Sequence, residues 1–124
     1  MSSIRLHRDL VVYNNSFVAA IEIFNASVSF PNEEKYSLTD QIRRSSRSVS
    51  ANLAEAFRKR RYVKVFVAKL TDAEGEAAET QVWLDFALAH QYITHKVRDQ
   101  LSDKYELIIS QILKMIISPG KWSY

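Results

Sequence analysis

The 124-residue chain contains only two prolines, Pro31 and Pro119, and only two glycines, Gly75 and Gly120. Between the prolines, Gly75 is the sole residue that disfavours regular structure strongly. An all-β fold needs a turn every few residues, and turns draw on Gly, Pro, Asn and Asp. A chain so poor in breakers is instead committed to long helices. At this length it forms one domain, residues 1–124, large enough to bury a core of its own.

Apolar spacing divides the chain into four helices. The first is expected over residues 7–27, where Leu10, Tyr13, Phe17, Ile21 and Phe24 recur at steps of three and four and make its core face. Pro31 then ends it, because proline lacks the N–H that a helix needs and pushes Phe30 towards extended geometry. The second helix begins at Ser37. Ser37-Leu38-Thr39-Asp40 has the form of a capping box with Asp in the acidic position. Its core face is Leu38, Ile42, Ser45, Val49, Leu53, Ala56 and Phe57, and the small members of that face admit a close neighbour. The third helix is expected over residues 62–91, with Val63, Phe66, Leu70, Ala73, Ala77, Leu84 and Leu88 inward. Gly75 in its middle costs about 1 kcal/mol against alanine, which points to a close helix contact. The fourth runs over residues 94–117. Thr94 is its N-cap candidate, its stripe is Val97, Leu101, Tyr105, Ile108, Ile112 and Met115, and Pro119-Gly120 follow. Four helices with short links make an all-α, antiparallel up-and-down four-helix bundle.

The third helix has apolar residues to spare. Val82 and Phe86 lie roughly opposite Leu84 and Leu88, with Trp83 between. A helix apolar nearly all round is buried nearly all round. Val82, Trp83 and Phe86 are therefore expected at an interface between copies of the chain, unless the connections cover them.

Charge is segregated. Residues 43–69 hold nine of the seventeen Lys and Arg residues and one acid, Glu55, a net of +8. The remainder holds eight bases and thirteen acids, a net of −5. Arg43, Arg47 and Arg58 fall on one outer stripe of the second helix, with Arg44 beside it. Arg58-Lys59-Arg60-Arg61 and Lys64 then cross the junction into the third. Adjacent cations repel, so such a run is a poor choice for stability alone. The guanidinium fork suits phosphate oxygens, and Tyr62 is placed to stack on an unpaired base. A nucleic acid is one partner this pattern suggests. The other readings are a solvated face, or a set of salt bridges to Glu76 and Glu79 of the third helix.

Catalytic and metal chemistry find little support. A carboxylate-bridged metal bundle uses Glu-x-x-His pairs, but Ile4, Ala87 and Tyr92 precede His7, His90 and His95 by three. There is no phosphate-cradling glycine loop, and the chain has no cysteine. His90 and His95 flank the turn between the third and fourth helices, where surface histidines are commoner than a metal clip. Asp72, Glu74, Glu76 and Glu79 lack a nucleophile beside them. No enzyme, cofactor or metal is expected. The first ten residues do not form a signal peptide, and the apolar run at residues 17–24 is too short to span a bilayer. A soluble cytoplasmic protein is the expectation. The tail Lys121-Trp122-Ser123-Tyr124 is expected to fray.

One block is more specific than composition. Phe30-Pro31, Glu34, Tyr36, Leu38, Gln41-Ile42-Arg43-Arg44 and Ser48-Val49, then Asn52-Leu53-Ala54-Glu55, stand in sequence, with Ala73, Gly75 and Glu79 further on. This resembles the bacterial four-helix-bundle family that includes proteins encoded in 23S ribosomal RNA intervening sequences, often labelled ribosomal proteins. The likeness covers about residues 30–88. Ala56 stands where the family usually has Gly, and Glu76 where it usually has Ser, both at close-packing positions. The resemblance implies an antiparallel bundle assembled as a ring-like homopentamer and associated with RNA or the ribosome. It implies no catalytic residue. Related bundles serve as accessories to reverse transcriptases in diversity-generating retroelements. The reading that results is a non-enzymatic oligomer that binds RNA through Arg43, Arg44, Arg47, Arg58, Lys59, Arg60, Arg61, Tyr62 and Lys64. Its alternative is a protein-interaction scaffold without direct nucleic-acid binding.

Overall fold

The computed structural model describes residues 4–122. Four helices, α1 (Val11–Ser27), α2 (Leu38–Arg58), α3 (Val63–Ala89) and α4 (His95–Ile117), follow one another, with 3-10 turns at His7–Asp9, Asn32–Glu34 and Pro119–Lys121. Each helix packs on its neighbours in sequence, and α1 closes the set against α4. The result is an up-and-down bundle with α1 and α3 on one diagonal and α2 and α4 on the other. No described helix is long and apolar enough to cross a membrane. The last two residues of the tail, Ser123 and Tyr124, lie outside the described residues; Trp122 packs against the core.

The expected core faces of α2 and α4 are nearly all inward. Every residue of the α2 face is buried, and so are Leu101, Tyr105, Ile108, Ile112 and Met115 of α4. On α3 the inward residues are Phe66, Leu70, Ala73, Ala77, Thr80, Leu84 and Ala87. Val63 is exposed, and Leu88 lies at the edge. Full burial of Phe57 and Phe66 contributes about 1.5–3 kcal/mol each before side-chain ordering is counted. The Tyr105 hydroxyl, fully buried, approaches Ser46 without a well-formed hydrogen bond, and burial raises its pKa well above the usual phenol.

Small hydroxyl residues line the helix contacts. Ser16 meets Ser50 at 2.8 Å between α1 and α2, and Ser45 meets Thr80 at 2.8 Å between α2 and α3. Such pairs let backbones approach closely while satisfying each hydroxyl, so they fix the register of one helix against the next.

The first helix departs from expectation. Its buried face is Val12, Ser16, Ala19, Ile23 and Ser27. Phe17, Ile21 and Phe24, expected in the core, are 51%, 50% and 39% exposed. The helix has two apolar faces, and the smaller one packs inward because close contact with α2 leaves no room for rings. Residues 7–9 form a separate 3-10 turn, so α1 begins at Val11. Two local expectations also change. Asp40 does not cap α2: the Glu34 carboxylate accepts from the Leu38 N–H at 3.3 Å and from the Ser37 hydroxyl. Gly75 faces open space, with nothing near the position of an added Cβ. Thr94 does cap α4, accepting from the Val97 N–H at 3.1 Å.

Candidate nucleic-acid interface

The chain turns from α2 into α3 within four residues, and that turn carries the basic run. Backbone N–H groups of Lys59 and Arg60 bond back to the last turn of α2, and Tyr62 N–H bonds to the Lys59 carbonyl at 2.9 Å. Arg60 is part of this construction. Its guanidinium donates to the Phe57 carbonyl at 2.7 Å and lies 3.7 Å from the centroid of the buried Phe57 ring. It closes an open helix end and stacks as a cation on a ring face.

The other cations of the corner are turned outward. Arg58, Lys59, Arg61 and Lys64 are exposed, and none of them lies within salt-bridge distance of an acid among the described residues. Glu55, the single acid of the basic segment, is committed to Lys69 at 2.9 Å. That hydrogen bond, more than the charges of Lys69 and Lys59, holds the Glu55 carboxyl below its usual range. Tyr62, at 57% exposure, precedes α3 without capping it, and the Arg61 guanidinium sits 5.2 Å from its ring centroid. The first turn of α3 has no acid. Its free N–H groups and the positive end of its dipole therefore add to the cationic potential of the corner.

The basic residues of mid-α2 divide. Arg44 is engaged with two acids of α3: it reaches Glu76 at 3.5 Å and pairs with Glu79. This is the salt-bridge reading, realised for one residue. Glu79 also accepts from the Trp83 indole N–H at 3.2 Å, so Trp83 is tied into the α2–α3 contact and is only half-exposed. Its neighbours Val82 and Phe86 are open to solvent at 46% and 51%. The Arg43 guanidinium carbon sits over the Phe24 ring, 4.2 Å from its centroid, with Nε donating to the buried Ser27 hydroxyl at 2.8 Å. Arg47 approaches the same ring at 5.8 Å. These two form one wall of a cleft that also includes Lys35, Tyr36 and Asp40. Sequence spacing does not bring Lys35, Tyr36, Asp40 and Phe24 together: it places Phe24 in the core, Asp40 at a helix cap, and Lys35 and Tyr36 in the connection before α2. Tyr36 carried a signal all the same: an aromatic outside any helical stripe, next to a lysine.

His90 stacks between Phe86 and Tyr92, at 6.4 and 5.4 Å. Among the described residues no three His, Cys, Asp or Glu side chains are grouped as a metal site would require.

The fold and the corner together define a class: a small up-and-down helical bundle with a segregated basic surface. Residues 8–117 match the family model described as 23S rRNA-intervening sequence protein, and the chain belongs to that family. Among solved structures it is similar to a protein of unknown function from the S23 ribosomal protein family of Bacteroides thetaiotaomicron. The two are 31% identical, superpose with a TM-score of 0.77, and align over 86% of this chain and 98% of that one. No curated protein matches the chain.

Proposed function

We propose that this protein is a non-enzymatic bundle that associates with RNA through the α2–α3 corner and does so as a homo-oligomer. The observation that carries the reading is the set of four exposed cations, Arg58, Lys59, Arg61 and Lys64, that have no ion-pair partner among the described residues. Unpaired cations packed into one turn repel each other, and a phosphate backbone relieves that repulsion while releasing its own counterions. Tyr62 beside them offers a ring to an unpaired base. RNA is preferred to DNA because the family description ties its members to 23S ribosomal RNA.

Two exposed apolar faces support self-association: Phe17 and Ile21 on α1, and Val82 and Phe86 on α3. These helices lie on a diagonal of the bundle, so a contact between the α1 face of one copy and the α3 face of the next is heterologous, the kind of contact that builds a ring when its rotation closes. A ring of five, as the resemblance implies, repeats the basic corner around its rim and gains avidity.

The test is a salt titration of binding to a fluorescent 20-nucleotide single-stranded RNA. With four phosphate contacts per chain, affinity should fall about 50-fold between 50 and 200 mM salt. Absence of binding at 50 mM, with the oligomer intact, would hand the basic surface to an acidic protein partner instead.

A further inference from the structure

The open cleft between Phe24 of α1, the connection at Lys35 and Tyr36, and α2 has a volume of about 760 Å³, within the range of small-molecule sites, about 300–1,000 Å³. Its walls combine groups that a plain basic face would not need. Arg43 is fixed before any ligand arrives: one face lies on Phe24 and its Nε is held by the buried Ser27 hydroxyl. Its two terminal nitrogens remain as a preset fork, with no carboxylate within salt-bridge distance among the described residues. Tyr36 is 85% exposed, with Lys35 5.4 Å from its ring centroid and covering at most one face. Asp40 lines the same cleft among Lys35, Arg43, Arg44 and Arg47, and it pairs with none of them.

We propose that this cleft holds one unpaired nucleotide of a single-stranded RNA and prefers guanine to adenine. The base stacks on the free face of Tyr36, the Asp40 carboxylate reads its Watson–Crick edge, and Arg43, Lys35 and Arg47 take the flanking phosphates. The chemistry of Asp40 sets the preference. An ionised carboxylate only accepts hydrogen bonds. Guanine offers two adjacent donors, N1–H and the 2-amino group, one to each oxygen. Adenine offers one amino group beside an acceptor nitrogen, which the carboxylate repels. An acidic peptide would satisfy the cations but has no use for an exposed ring or for a carboxylate set between them, so the cleft fits a nucleotide better than a protein side chain.

This assignment rests on the RNA reading of the protein, but it can be broken separately. The probes are the pentanucleotides AAGAA and AAAAA, followed by fluorescence anisotropy on the full-length protein, and free GMP and AMP, followed by the NMR signals of the Tyr36 ring. AAGAA should bind about tenfold tighter than AAAAA, in keeping with one bidentate base contact. Asp40→Asn should remove that preference, and Tyr36→Ala should weaken both pentanucleotides about tenfold. Both side chains are exposed, so helicity should be unchanged in each variant. Equal affinity for the two pentanucleotides, or a preference that survives Asp40→Asn, overturns the assignment. If binding of both is equal yet is lost in Arg58→Glu/Arg61→Glu, the cleft assignment falls and the corner reading stands. If AAGAA binds in preference to AAAAA and Arg58→Glu/Arg61→Glu leaves that binding unchanged, the corner reading falls and the cleft stands; if GMP shifts the Tyr36 signals while no RNA binds, the assignment to an RNA nucleotide is overturned. Binding of hexaglutamate without binding of either pentanucleotide overturns it in favour of an acidic protein partner.

Discussion

The bundle turns its chain twice at tight helix–helix corners, and the two corners are built on opposite principles. At the α3–α4 corner the polar groups are paired in detail. Gln91 adopts the left-handed conformation with φ 65°, the Tyr92 N–H bonds to the Ala87 carbonyl at 2.8 Å and the Gln91 N–H to the Leu88 carbonyl at 2.8 Å. This is a Schellman motif on a residue other than glycine. Thr94 caps the next helix, Arg98 pairs with Asp85 and Asp99, and the Tyr92 hydroxyl donates to Glu34 at 2.9 Å. At the α2–α3 corner Arg60 closes the end of α2 on Phe57, α3 starts without a side-chain cap, and four exposed cations have no ion-pair partner among the described residues. Both corners join antiparallel neighbours of one bundle. The task of turning the chain does not by itself account for the difference, and the proposed RNA partner would.

Substitutions can break or sharpen that contrast. The largest effect belongs to Phe57→Ala. The ring is fully buried and supports Arg60, and its loss should cost about 3–5 kcal/mol in urea unfolding. A cost below about 1 kcal/mol would mean that the α2–α3 corner is held by something other than this apolar anchor. Next, Thr94→Ala removes the cap of α4 and should cost about 1 kcal/mol, whereas Tyr62→Ala, at the matching place before α3, should cost far less because no cap exists there to lose. Equal losses would erase the distinction between the corners. Gln91→Gly should stabilise the protein by about 0.5–1 kcal/mol, read as a rise in the urea midpoint, because glycine adopts positive φ without a steric penalty.

The smallest effect is a pH dependence. The Ser37 hydroxyl first, and the Tyr92 hydroxyl second, hold the Glu34 carboxyl below its ordinary 4.5. A lowered folded-state pKa adds stability that is complete above the unfolded-state value and is lost as pH falls through the folded one. Glu34→Gln should therefore be less stable than the parent at pH 7, and the gap should close below pH 4.5. A gap constant from pH 7 to pH 3 would remove Glu34 from the account of how α2 and the α3–α4 corner are joined.

How much of this was legible in the sequence varies by element. On α2 and α4 one apolar stripe alternates with a polar face, so periodicity identified the inward residues. On α1 two apolar faces compete. Periodicity favoured the one with the larger side chains, but the close approach that Ser16 and Ser50 make between α1 and α2 selects the smaller face. A sequence pattern carries no information on how near the neighbouring helix will lie. The cap of α2 was missed because Glu34 reaches it from the preceding 3-10 turn, across a bend that no spacing rule describes. At the candidate site, segregation of charge was plain, and so was the supply of acids on α3. Which cations those acids neutralise depends on the helix crossing: Arg44 meets Glu76 and Glu79, while Arg43 turns towards Phe24 and Ser27. Arg60 looked like one cation of a run, and its part in closing the α2 end followed from backbone geometry alone.

The central claim is that the unpaired cations of the α2–α3 corner serve an RNA partner rather than the fold. The most direct test measures RNA affinity and thermal stability together on Arg58→Glu/Arg61→Glu. The account predicts a loss of affinity of about 100-fold or more at 50 mM salt, with helicity intact and a Tm equal to or above the parent's, since repulsion at the corner is relieved. Affinity that is unchanged, or lost only along with the fold, would contradict it.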